Sequence, residues 1–122
     1  MLQRIEEMVR RWQEILHLKD WDIEVEFRNH AHKRGAMIQP DFRYKKARII
    51  VFNHHLFVEE YILHELLHLV VGEFMFLLSF FVEDKLTQQE KNLLAISEDQ
   101  LVEKLTRILL KEVKDNEEHN ED

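Results

Sequence analysis

His64, Glu65 and His68 are the residues of this chain whose types and spacing most directly imply chemistry: they read H-E-x-x-H inside Leu63-His64-Glu65-Leu66-Leu67-His68-Leu69. On a helix, side chains four residues apart lie on one face, so both imidazoles reach a single tetrahedral zinc ion while Glu65 is turned toward the attacking water. Such a set performs metal-assisted hydrolysis: zinc lowers the pKa of a water toward ~7, and Glu65 takes the proton as general base and returns it to the leaving group. Eight histidines in 122 residues make a coincidental match less rare than usual, so the surroundings of the motif bear on the reading.

Those surroundings favour it. Tyr61-Ile62-Leu63 before the motif and Leu66, Leu67, Leu69, Val70 and Val71 within and after it leave almost no polar face, the pattern of a buried central helix. Unpaired imidazoles and a carboxylate are costly in such a place, and a metal bound by the histidines removes most of that cost. The plainer alternative is a pair of core histidines bonded to backbone, with a surface glutamate between them.

A third ligand is expected on a later helix. Thr87-Gln88-Gln89-Glu90 has the form of a capping box, and Leu94, Leu101, Val102, Leu105, Ile108 and Leu109 mark the buried stripe of the helix it opens. Glu98 falls on that stripe, an odd place for a lone carboxylate unless it binds the metal, with Glu103, Asp99 and Glu73 as substitutes in that order. In the rival reading Ser97 caps a new helix with Gln100 as its partner, and Glu98 and Asp99 merely favour a helix N-terminus.

The elements that must position these groups imply an α+β fold. Leu2 to Leu16 is an amphipathic helix, and Trp21 to Phe27 alternates as a half-buried strand. Residues 29–35 form a polar loop in which His30 and His32 are expected at the surface. Ala36 to Pro40 and Ala47 to Phe52 form two further strands of a small three-stranded mixed sheet. Pro40 makes 36–40 the edge strand, and the doubly apolar 47–52 belongs in the middle with 21–27 beyond it. Asn53 is a candidate cap for the motif helix, with His54 and His55 at its entrance. Substrate would add as a further strand along the edge 36–40, and Tyr44, His54, His55 and Tyr61 are the candidates to stabilise an oxyanion.

Length fits one domain, 1–113, followed by a polar acidic tail, 114–122, expected to be disordered. No cysteine is present, which leaves histidines and carboxylates as the metal ligands. A net charge of -7 argues against nucleic acid as partner, and the acidic, helix-patterned start predicts no signal peptide and a cytoplasmic protein. The apolar run Phe74 to Val82 is about half the ~20 residues of a membrane span, so no transmembrane segment is expected. Burial in the core is the first expectation for this run, and a homodimer or partner surface the second.

With this motif and element order the chain resembles the zincin metallopeptidases, in particular the gluzincins, and among them the minigluzincins, minimal soluble forms of the catalytic domain. The resemblance covers most of residues 1–113 in element order, and His64-Glu65-Leu66-Leu67-His68 is its one specific motif. It implies His64 and His68 as zinc ligands, Glu65 as general base, a later glutamate to complete the site, and peptide or protein substrates. Phe74 stands where metzincins and the H-G-x-L-H endoribonucleases carry a histidine. Minigluzincin-like domains also carry C-terminal segments that shield the site, so 114–122, with His119 and its carboxylates, is a candidate for enforcing latency. Two other classes stay open: a catalytically silent zinc-binding interaction module, and a metal-free helical adaptor.

Overall fold

The computed structural model of the protein describes residues 2–30, 32–53 and 58–120. Along the chain run α1 (Leu2–Ile15), β1 (Asp22–Arg28), β2 (Ala36–Asp41), β3 (Lys46–Phe52), α2 (Val58–Val82), a short 3-10 turn (Glu83–Lys85) and α3 (Gln88–Asn120). The described residues thus form an α+β fold of three α-helices and one small mixed sheet, ordered β1-β3-β2. Strand β3 pairs parallel to β1 and antiparallel to β2. It is central because Ile49, Ile50, Val51 and Phe52 have no wet face: each is at most 2% exposed. The 36–40 stretch is an edge, as its proline implied.

The register explains how an edge strand tolerates that proline. Phe52 N–H donates to the Gly35 carbonyl at 3.0 Å, and antiparallel pairs alternate between bonded and non-bonded. Ala36, Ile38 and Pro40 therefore occupy the non-bonded positions and turn their backbone polar groups to the free side. The N–H that Pro40 lacks would have faced outward, so the ladder loses nothing. The turn into β3 is set by Asp41, whose Oδ1 accepts from the backbone N–H of Arg43 and Tyr44 at 3.1 and 3.2 Å.

Helix α1 buries Ile5, Val9 and Trp12, one stripe at helical spacing. Trp12 Nε1 donates to Glu59 Oε1 at 2.9 Å, tying α1 to the first turn of α2. The helix closes with Leu18 N–H on the Gln13 carbonyl and His17 at φ 57°, a left-handed stop.

Only the N-terminal half of α2 is core: Ile62, Leu63, Leu66, Leu67 and Leu69 are buried. Phe42 packs over Gly72 so closely that any β-carbon there would collide with its ring. The same ring meets Trp21 edge-on and stacks on Phe76. Trp21 Nε1 in turn donates to Glu73 Oε1 at 2.5 Å. Beyond this clasp the expectation of a buried run fails, since Phe74, Leu77, Phe80 and Phe81 are 64%, 58%, 65% and 67% exposed. The reason is that α3 lies along one side of this half, by Met75 and Leu78, while α1, about 21 Å long against about 37 Å for α2, does not extend over the rest. By length and composition alone α2 is also long and apolar enough to cross a membrane.

Helix α3 opens on the expected capping box. Thr87 N–H donates to Glu90 Oε1 at 2.9 Å and Glu90 N–H to Thr87 Oγ1 at 3.1 Å. The helix then continues without a break through Ser97, so Ser97 caps nothing and Glu98 lies mid-helix. Val102 is fully buried, and Thr106 beside it satisfies its hydroxyl on the Val102 carbonyl at 2.7 Å. Leu101 and Ile108, expected in the stripe, are 45% and 48% exposed. The covered line instead runs through Val102, Leu105, Leu109 and Val113. Residues 114–120, expected as a disordered tail, continue α3.

Candidate functional site

His64, Glu65 and His68 lie in the N-terminal half of α2, where the helix passes between the free edge of β2 and α3. All three line one open cavity of about 720 Å³. Glu98, Asp99 and Glu103 line its α3 wall, Ile38 and Pro40 its sheet wall, and Lys33, Arg34 and Tyr61 one end. The helices run antiparallel, so His64 and His68 on one face two carboxylates four residues apart, Glu103 and Asp99, on the other.

The imidazoles of His64 and His68 stand 5.0 Å apart, centroid to centroid, with rings at 69°. His68 is flanked by two carboxylates: its Nδ1 is 3.6 Å from Glu98 Oε1 and its Nε2 is 3.4 Å from Asp99 Oδ1. Burial lowers the His64 pKa, and the charge of His68 lowers it further, against the opposing pull of Glu103, Asp99 and Glu60. The net lowering favours the neutral form, whose lone pair binds metals.

Burial raises Glu65 to a pKa of about 7. The positive charge of Arg34 and a hydrogen bond from the Ile38 backbone amide oppose that rise, and the charge of Asp99 adds to it. A carboxyl that titrates near neutral pH is suited to both accepting and returning a proton. Its contact with Ile38 places it against one of the outward-facing amides of the free edge.

Among the described residues, no group of three histidine, aspartate or glutamate side chains is posed to hold a metal ion. The donor set nonetheless suits zinc in type and spacing. Donor atoms of a tetrahedral zinc site stand about 3.3 Å apart, given bonds of about 2.0 Å. The separations of His68 Nδ1 from Glu98 and of His68 Nε2 from Asp99 are each close to that value, and because the two nitrogens face different sides of the ring a single ion would use one of these pairs.

The residues singled out in the sequence divide clearly. His64, Glu65, His68, Glu98, Asp99, Glu103 and Tyr61 come together around the cavity. Glu73 does not: it accepts from Trp21 on another side of α2. Tyr44 is 69% exposed at the β2–β3 turn and lines no part of the cavity. His30 and His32 are exposed and pack against Phe52. His54 and His55 lie outside the described residues, as do the residues next to Asn53 that bear on its expected role as a cap; the Asn53 amide itself donates to Asn29 Oδ1 at 2.8 Å. Lys33, Arg34 and Phe42 also line the cavity and were not anticipated. For Lys33 and Arg34 the signal was position, since the basic end of the 29–35 loop feeds directly into the edge strand on which substrate was expected; Phe42 follows that strand.

Compared with known proteins, the chain matches no family model, no curated protein and no solved structure. Its functional reading rests on the site.

Proposed function

We infer that the protein is a zinc-dependent metallopeptidase of the gluzincin type, resembling the minigluzincins. The observation that carries this reading is the convergence of His64, Glu65, His68 and Glu98 on one cavity whose opposite wall is the free edge of β2. His64, His68 and Glu98 would hold the ion. Glu98 is preferred over its neighbours because its side chain is 23% exposed, against 72% for Asp99 and 59% for Glu103. A half-buried carboxylate has the most to gain from a cation. Asp99 and Glu103, opposite the imidazoles, would then orient the rings as outer partners.

Bound zinc supplies Lewis acidity, activating water and polarising a carbonyl. The chain supplies the rest. Outward backbone groups of Ala36 and Ile38 pair with an extended peptide laid along β2. Glu65, already against Ile38, accepts the proton of the attacking water and delivers it to the departing amine. Lys33, Arg34 and Tyr61, at one end of the cavity, would meet developing negative charge.

The test is hydrolysis of a mixed peptide library by zinc-loaded protein, with Glu65→Gln beside it. Cleavage by the wild type and its loss in the variant, at equal zinc content, is the expected result. Equal turnover in both would remove Glu65 from the chemistry. Zinc bound by both with no cleavage by either would instead favour a zinc-binding interaction module, the second reading, to which the exposed apolar half of α2 lends support.

A further inference from the structure

The exposed apolar residues of α2 have an order of their own. Val70, Phe74, Leu77 and Phe81 follow one another at intervals of four, three and four, the spacing of a helix seam. At about 100° per residue they fall within about 60° of helix circumference. The centre of that stripe lies about 130° round the helix from His64 and His68. None of the four lines the catalytic cavity.

Their exposed surface is substantial. An aromatic side chain offers about 150–250 Å². At the exposures given above, Phe74, Leu77 and Phe81 together leave on the order of 350 Å² of apolar surface in water, before Val70 is added, and Phe80, beside the stripe, adds about 100 Å² more. A stable pairwise interface needs about 800 Å² per partner, so this stripe is large enough to form the dry centre of one.

We propose that this stripe of α2 is the seam of an isologous homodimer, in which two copies of α2 pack antiparallel about a two-fold axis midway between Phe74 and Leu77. The stripe is complementary to its own reverse. In that arrangement Phe74 of each copy faces Leu77 of the other, and Val70, the smallest member, faces Phe81, a large one, so bulk meets space at each level. The charge around it suits a protein partner better than a lipid surface. The turn that follows α2 carries two acids and one base, Glu83-Asp84-Lys85, and the chain carries a net charge of -7, whereas helices that lie on membranes are flanked by several lysines and arginines. Pairing on this face leaves both cavities open to substrate.

The absence of native cysteine allows a register-specific test. Wild-type protein is expected to sediment at twice the chain mass at micromolar concentration, and Phe74→Lys with Leu77→Lys at the chain mass, with an unchanged helical circular-dichroism spectrum. Val70→Cys and Phe81→Cys chains, mixed and oxidised, are expected to give a disulfide-linked dimer, and each alone to give none because like positions are far apart. Monomeric wild type would overturn the proposal. So would cross-linking of each variant with itself, which indicates a parallel pair, or a dimer that survives both lysines. Wild type that is monomeric in buffer and floats with phosphatidylcholine vesicles would assign the face to lipid and equally overturn it.

Discussion

His68 stands 3.6 Å from Glu98 across the seam between α2 and α3, and 3.4 Å from Asp99 on the same helix. Two carboxylates thus compete for one role, and burial separates them. We predict that Glu98→Ala weakens zinc binding by more than the ~10–100-fold expected when an outer partner such as Asp99 or Glu103 is truncated. His64→Ala and His68→Ala should abolish stoichiometric binding, since two remaining ligands hold the ion poorly. Competition with a chromophoric chelator ranks all five variants against wild type. A larger loss in Asp99→Ala than in Glu98→Ala would move the ligand one residue along α3.

Glu65 carries a stability signature that is readable without metal. Its carboxyl titrates near 4.5 when exposed in the unfolded chain and at about 7 when folded, so between those values the folded state holds a proton that the unfolded state has lost. Stability of the metal-free protein should therefore be highest below about pH 4.5 in this respect and fall as pH rises to about 7. The full effect is on the order of 3 kcal/mol, an upper bound because the group is only partly buried. Glu65→Gln removes the titration, so the variant should be the more stable of the two at about pH 8 and show the smaller change across the window. Urea unfolding in chelator over that range measures it. Parallel curves for the two proteins would mean that Glu65 is not desolvated.

The sequence made the motif, the element order and the edge position of β2 legible because each rests on local or near-local rules: helical spacing of the histidines, alternation in β1, proline in β2, reciprocal capping at Thr87 and Glu90. It misjudged what depends on how far one element extends over another. Phe74 to Phe81 is as apolar as a core segment, and it stays uncovered on the side that α3 does not face and α1 does not reach. The exposure of Leu101 and Ile108 has a similar origin: both lie on the apolar side of α3, but the contact line is fixed by the position of α2 and runs through Val102, Leu105 and Leu109. Arg34 was passed over because nothing in a polar loop shows which buried carboxylate its side chain approaches.

The continuation of α3 bears on latency. At about 1.5 Å per residue, Asp115 lies about 25 Å along the helix from Glu98, so a helical 114–120 leads away from the cavity. Shielding of the site by this segment requires the last turns to unwind and fold back. We therefore expect a chain ending at Val113 to hydrolyse peptide at the rate of the full chain, within about two-fold, at equal zinc content. A gain of tenfold or more on truncation would show that the segment does return to the site.

Arg34 offers a way to test the electrostatics of the general base without touching it. Its charge holds the Glu65 pKa down against the rise that burial causes. Removing that charge lets the pKa climb further, which leaves less of Glu65 ionised at neutral pH. We predict that Arg34→Ala shifts the Glu65 carboxyl titration of the metal-free protein, followed by carbon-13 NMR, to higher pH, while Arg34→Lys leaves it nearly in place. In the zinc-loaded protein the acidic limb of the kcat/KM profile should move in the same direction, because that limb reports the base of the free enzyme. A fall in kcat/KM at high pH, where Glu65 is ionised in either protein, would show a second role for Arg34 on the substrate itself. An unmoved NMR titration in Arg34→Ala would separate Arg34 from Glu65 and leave burial and the Ile38 amide as the groups that set its pKa.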